Sequence, residues 1–188
     1  EISRKLGLSE GLIEQARKLL SQEDKRFEDH QGVDWFTTMK ACVKMFLGQG
    51  EAGGSTITQQ LVKNITGRDE VTVRRKLVEI FSALELEKKY TKKQIMELYL
   101  NVIALGQNCE GVQSAAQVYF GKNVEELDLA QCASLIGITN NPSIYDPYLN
   151  PEKNKERQEM ILTRMAGGND DVGVTGLTYL TEEEAEAA

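Results

Sequence analysis

An all-α fold is what the sequence predicts, on three observations. Apolar residues recur in steps of three and four along most of the chain, alternating runs of strand type are nearly absent, and capping signatures open several of the periodic segments. In chain order, Leu12, Ala16, Leu19, Glu23 and Phe27 share one stripe of a first amphipathic helix, which puts the Glu23 carboxylate in line with apolar neighbours. Asp34 then stands as N-cap to a segment whose Trp35, Phe36, Met39, Val43, Phe46 and Leu47 form a wide apolar face. Gly48, Gly50, Gly53 and Gly54 punctuate a flexible loop, after which Ser55 and the Thr56/Gln59 pair, at capping-box spacing, open the next helix. Val73, Leu77, Ile80 and Leu84 define the core face of a longer helix. Thr91 with Gln94 caps another that bears Ile95, Leu98, Val102 and Leu105. Asp128 with Gln131 begins a helix carrying Leu129, Cys132, Ala133 and Ile136, and Asn150–Pro151 begins the last, which stops at Gly167–Gly168.

Composition sets further bounds. The 188 residues are 40% hydrophobic and 27% charged, enough for one globular domain that buries about 70% of its unfolded surface. Six carboxylates after Arg164, with no Lys or Arg among them, account for nearly all of the net charge of −7. Residues 169–188 thus read as an acidic edge or linker. From Lys63 to Lys93 the balance reverses, with nine basic side chains against five acidic ones, which fits either an anionic partner or a solvated helical face. Nothing marks a nucleic-acid partner. Cys42, Cys109 and Cys132 are widely spaced and odd in number, so neither a zinc site nor a disulfide framework is expected. No apolar run is long enough to cross a membrane, and the chain begins at Glu1; it reads as a fragment whose flanks, including any membrane anchor, lie outside it.

Chemistry is suggested at three places. A carboxylate on an apolar stripe is partly desolvated, which raises its pKa toward that of a general acid or base, so Glu23 is a catalytic candidate; the alternative is a stripe-edge glutamate paired with Lys25 or Arg26. The run Gly53–Asn64 sets a glycine-rich loop at a helix N-terminus, where free amides and the helix dipole favour an anion, with Gln60 and Lys63 one turn apart to follow a phosphate chain. It is not a Walker A loop, since Lys63 lies inside the helix, and an ordinary loop followed by a cap has the same sequence. Glu79, off its helix's apolar stripe and flanked by Arg75 and Lys76, should stay ionised; with Glu23 it forms a pair in contrasting environments, the pattern of a divided acid/base site. A wet i, i+4 salt bridge is the alternative. His30, the single histidine, leaves a metal site or triad without material and reads as a helix-end residue before the Gly32 turn. Trp35, Phe36, Met39 and Phe46 fit a core or, less commonly, a membrane-grazing lobe.

The runs Glu23–Gly32, Gly53–Asn64, Arg75–Glu79, Tyr99–Asn101 and Tyr119–Lys122 occur in the order and spacing of one family. Over about residues 10 to 167 the chain resembles the peptidoglycan glycosyltransferases, which occur as the transglycosylase domain of class A penicillin-binding proteins and as monofunctional enzymes. The resemblance implies a lysozyme-like larger lobe and a smaller membrane-facing lobe, about 33–54 here, flanking a cleft within a domain spanning residues 1–168. It implies polymerisation of lipid II on the outer face of the bacterial cytoplasmic membrane, with an N-terminal anchor, a transpeptidase domain C-terminal to this segment in bifunctional members, and inhibition by phosphoglycolipids of the moenomycin type. Glu23 would be the general base and Glu79 the second essential carboxylate. Ser55, Gln60, Lys63 and Arg75 would bind diphosphate and sugars, with Asp24, His30, Thr56, Gln59, Asn64 and Lys76 completing the substrate-binding set. No organic cofactor is implied; a divalent cation, Mg2+ or Mn2+, is compatible with the leaving diphosphate. Gln131, where relatives commonly carry an acid, and Val102–Leu105, where the stretch is often aromatic, depart from the pattern outside the carboxylate motifs, so altered packing is expected there. The rivals are a lysozyme-like lytic enzyme and a non-catalytic module that binds cell wall or membrane.

Overall fold

The computed structural model describes residues 8–20, 23–46, 54–67 and 72–166. Among these the chain is all-α, as its periodicity predicts, with one isolated bridge between Ala104 and Glu110. Leu47, the glycines from Gly48 to Gly53, the Gly167–Gly168 stop, the acidic end and the side chains of Cys42 and Phe46 lie outside the described residues.

The helices divide into two compact units, one comprising Glu23–Val102 and the other the segments before and after it. In the flanking unit, α1 (Glu10–Leu20), α7 (Leu129–Ile138) and α9 (Pro151–Met165) pack together, joined by α6 (Val112–Phe120), a 3-10 turn at Val124–Glu126 and the short α8 (Pro142–Tyr145). Helix α7 buries seven consecutive residues from Cys132 to Ile138, as a helix surrounded by neighbours must. Its Asp128/Gln131 capping box forms as expected. Asn154 of α9 is buried with its polar atoms bonded to Ser134 and to the carbonyl of Tyr145 at 2.8 Å, so the α7–α9 contact carries no orphaned amide. Helix α6, which the sequence does not announce, has no side-chain cap and is framed by glycines at Gly111 and Gly121.

The Glu23–Val102 unit holds α2 (Trp35–Phe46), α3 (Ile57–Thr66), α4 (Val73–Lys89) and α5 (Lys92–Val102), with α3 packed on both α4 and α5. Asp34 caps α2 through the Thr37 amide at 3.0 Å, the Thr56/Gln59 box caps α3, and Thr91 with Gln94 caps α5, all as the sequence predicts. Ile95, Met96, Leu98, Tyr99 and Leu100 of α5 are buried, so its predicted stripe is real up to Leu98, while Leu105 is buried beyond the helix end.

Two expectations are overturned. Helix α1 is described as far as Leu20, and Glu23 lies in a run of turns rather than on the helical stripe; Phe27 is buried, its amide bonded to the Asp24 carbonyl at 3.1 Å within that turn. The Asp24 carboxylate bonds His30 and the distant Ile57 amide, and these contacts hold the turn. Helix α4 is also rotated away from its predicted stripe: Val73 and Leu77 are exposed, Ile80 and Leu84 only half-buried, and Glu79 and Ala83 are buried. Gly32 packs on the inward face, where a Cβ would stand 2.7 Å from the carbonyl oxygen of Ala83; backbone is packed on backbone there, and Ala83 is small enough to admit that approach.

Candidate functional site

The site grows from the turn that follows α1. Glu23 is partly exposed in that turn, and Asp24 beside it is buried. Asp24 Oδ2 accepts the Ile57 amide of α3 at 2.9 Å, and both its oxygens lie 3.0 Å from His30 Nε2. His30 Nδ1 in turn accepts the Gly32 amide at 3.1 Å, so the ring carries its proton on Nε2 and donates it to Asp24. Thr56 Oγ1 donates to the Gly32 carbonyl at 2.6 Å while accepting the Gln59 amide, and Gln59 Oε1 accepts the Thr56 amide at 2.9 Å. Asp24, His30, Thr56 and Gln59 are thereby one buried network that fastens the turn to the start of α3.

This corrects the anion-site argument drawn from the sequence. The first amides of α3 are not free: Asp24 takes one and Thr56 another, so the carboxylate satisfying the helix dipole is the protein's own. On α4, by contrast, a cation sits beside the loop that precedes α3. Lys76 Nζ donates to Ser55 Oγ at 2.7 Å and is ion-paired with Glu79, whose side chain is 7% exposed. The wet-surface reading of Glu79 therefore fails. Of the two carboxylates, Glu79 is fully buried with a cation and Glu23 is half-buried. Lys63 lies on the exposed face of α3, with Gln60 and Asn64 half-buried beside it, and Arg75 is half-buried in the first turn of α4, its amide capped by Thr72 at 3.1 Å.

Tyr99, of the motif run Tyr99–Asn101, joins this group. It is completely buried on α5, and its hydroxyl donates to Gln60 Oε1 at 3.0 Å. Burial, and after it the charge of Glu23, push its phenol far above the ordinary range, so it remains a donor. A tyrosine on a fully buried stripe must find a partner for its hydroxyl, and that was the readable signal.

At the far side of the turn, Arg26 holds Asp34 through Nε at 3.0 Å and through Nη2, and Thr37 adds a hydroxyl bond at 2.7 Å. Burial pushes the Asp34 carboxyl up, but the Arg26 and Thr37 bonds outweigh it and hold the pKa at about 2. A cavity of about 400 Å³ opens beside this pair, lined among others by Arg26, Asp29, Trp35, Phe36 and Leu84. Among the described residues no three His, Cys, Asp or Glu side chains gather to hold a metal ion, and the Glu79 carboxylate is already paired; the residues present do not themselves form a cation's ligand set.

Comparison with known proteins places the chain in a family. The sequence profile described as transglycosylase matches residues 10–166. The chain is 44% identical over 148 residues, 78% of its length, to penicillin-binding protein 1A of Pseudomonas aeruginosa, and 45% identical over 148 residues to that of Neisseria gonorrhoeae. It is 40% identical over 170 residues, 90% of its length, to penicillin-binding protein 1A of Aquifex aeolicus. It spans 18% of the first two relatives and 22% of the third, about a fifth of their length. With a profile match covering most of the chain and relatives 40–45% identical over most of its length, the protein belongs to the transglycosylase family, the glycosyltransferases of peptidoglycan synthesis.

Proposed function

We propose that this chain polymerises lipid II into β-1,4 glycan with inversion and release of the lipid diphosphate, acting at the outer face of the bacterial cytoplasmic membrane in a longer, anchored protein. The observation that carries the reading is the division of labour between two carboxylates. Glu23 is half-buried on a turn fixed from below by Asp24 and His30, while Glu79 is fully buried and holds Lys76 against Ser55. Glu23 takes the proton of the acceptor's sugar 4-hydroxyl as that oxygen attacks the anomeric carbon of the donor. The bond from that carbon to the diphosphate breaks, and Lys76, with Lys63 and Arg75, meets the negative charge that develops there. Glu79 acts by orienting Lys76. Asp24, His30, Thr56 and Gln59 shape the floor of the substrate site, and Ser55, Gln60 and Asn64 face the sugars and phosphates. The chemistry requires positioning and electrostatics rather than an organic cofactor, and no step is assigned to a divalent cation.

A lytic enzyme would have no use for the Lys76–Ser55 arrangement on the leaving-group side. The exposed Trp35, Phe36, Met39 and Val43 of α2 would rest on the membrane. The test is conversion of lipid II to polymer by the membrane-anchored protein: Glu23→Gln is expected to lower the rate about 10²- to 10⁴-fold with the melting temperature unchanged. Digestion of finished glycan by the wild type, or polymerisation by Glu23→Gln at the normal rate, would show the assignment to be wrong.

A further inference from the structure

Thr58, Glu87 and Lys92 take no part in the proposed chemistry, yet they form a buried polar cluster beneath the turn that bears Glu23. Lys92 Nζ donates to the His30 carbonyl at 2.6 Å and to Glu87 Oε1 at 2.8 Å, and lies 4.5 Å from the centre of the Phe27 ring. The same Glu87 oxygen accepts the Thr58 hydroxyl at 2.6 Å. The side chain of Glu87 is 6% exposed, that of Lys92 19%, and Thr58 is fully buried. One carboxylate thus ties together α3, α4, α5 and, through the lysine, the backbone of the turn.

The spacing gives the cluster its meaning. Glu79, Ala83 and Glu87 recur every four residues and form one row on α4. The turn docks on the middle of that row, where Gly32 meets the Ala83 carbonyl, and is fastened at its end, where Lys92 bridges Glu87 to His30. The other end of the row is Glu79, which holds Lys76.

We propose that the Glu87–Lys92 pair is a positioning latch: it keeps the turn bearing Glu23 in register with the α4 row bearing Glu79, and so sets the placement of base and cation relative to each other. The proposal rests on the function proposed above. In the full-length, membrane-anchored protein, Lys92→Met alone would leave Glu87 buried without its cation and cost folding stability, so the deciding variant is the double Lys92→Met/Glu87→Gln, which removes both charges together. Its kcat for lipid II polymerisation is expected to fall about tenfold to a hundredfold with KM changed by less than about twofold, because catalytic groups are displaced while substrate contacts survive. Lys92→Arg, which retains the cation, should keep most of the rate. Amide hydrogen exchange between Phe27 and Gly32 should quicken in the double variant. Wild-type kcat in the double variant, or a loss that only follows the fraction of folded protein, overturns the latch. If the wild type polymerises nothing, the proposed function fails, and exchange alone judges the latch: faster exchange in the variant supports it, and unchanged exchange overturns it.

Discussion

Gly32 shows how one residue can set the site. Its φ of +87° is in the left-handed region, and an added Cβ would meet the Ala83 carbonyl oxygen at 2.7 Å and Glu87 Cγ at 3.1 Å. The first contact is with backbone, which cannot swing aside. Gly32→Ala should therefore lower unfolding free energy by more than about 2 kcal/mol, read from the denaturant midpoint. A second residue-scale expectation concerns Tyr99. Tyr99→Phe removes the donor to Gln60 and leaves a half-buried amide oxygen unmatched, which should cost roughly 1–3 kcal/mol in urea unfolding. Glu23 and Glu79 were legible as candidates because both sit in charged motifs of distinctive order. Their environments were not. Glu23 is expected on a helix stripe and lies in a turn; Glu79 is expected to stay ionised beside Arg75 and Lys76, with a wet salt bridge as the alternative, and lies buried against Lys76.

Helix α2 depends on its first turn. The Asp34 carboxylate caps the Thr37 amide and pairs with Arg26, and the folded pKa of about 2 lies below its ordinary value of 3.8. Because the folded value is the lower one, the associated stability is fully present above about pH 4 and is lost as pH falls through about 2; by linkage it amounts to something on the order of 2 kcal/mol. Asp34→Ala should thus destabilise the protein by roughly 0.5–2 kcal/mol at neutral pH and flatten the acid limb of a stability profile, as followed by circular dichroism. Caps at Asp34, Thr56, Thr91 and Asp128 could be read directly because capping is local, with partners three residues apart. The facing of α4 could not. Its apolar residues and its site-forming residues occupy different sides, and the side that turns inward packs on Gly32, forty residues or more away in sequence from the row it meets.

The Glu23–Val102 unit exposes apolar side chains on α2 and on α4, Met39 67% and Phe81 65% among them, and no helix among the described residues is long and apolar enough to cross a membrane. A surface of this kind suits peripheral contact with lipid, with Lys40 4.1 Å from the centre of the Phe36 ring and Arg26 4.8 Å from it as flanking cations. Met39→Glu and Val43→Glu should each weaken co-sedimentation with phospholipid vesicles about tenfold or more, since each withdraws a side chain worth roughly 1.5–3 kcal/mol of apolar burial. Bound fractions equal to wild type would remove α2 from the lipid contact. The sequence by itself determined the helical class, the caps and the set of charged residues, because periodicity and capping act within a few residues along the chain. The tertiary structure alone decided which face of α4 points inward, that Asp24 rather than a ligand takes the first amide of α3, and that Glu87 and Lys92 fasten the turn bearing Glu23. Those are contacts between segments distant in sequence, and their energies depend on which backbones can approach one another.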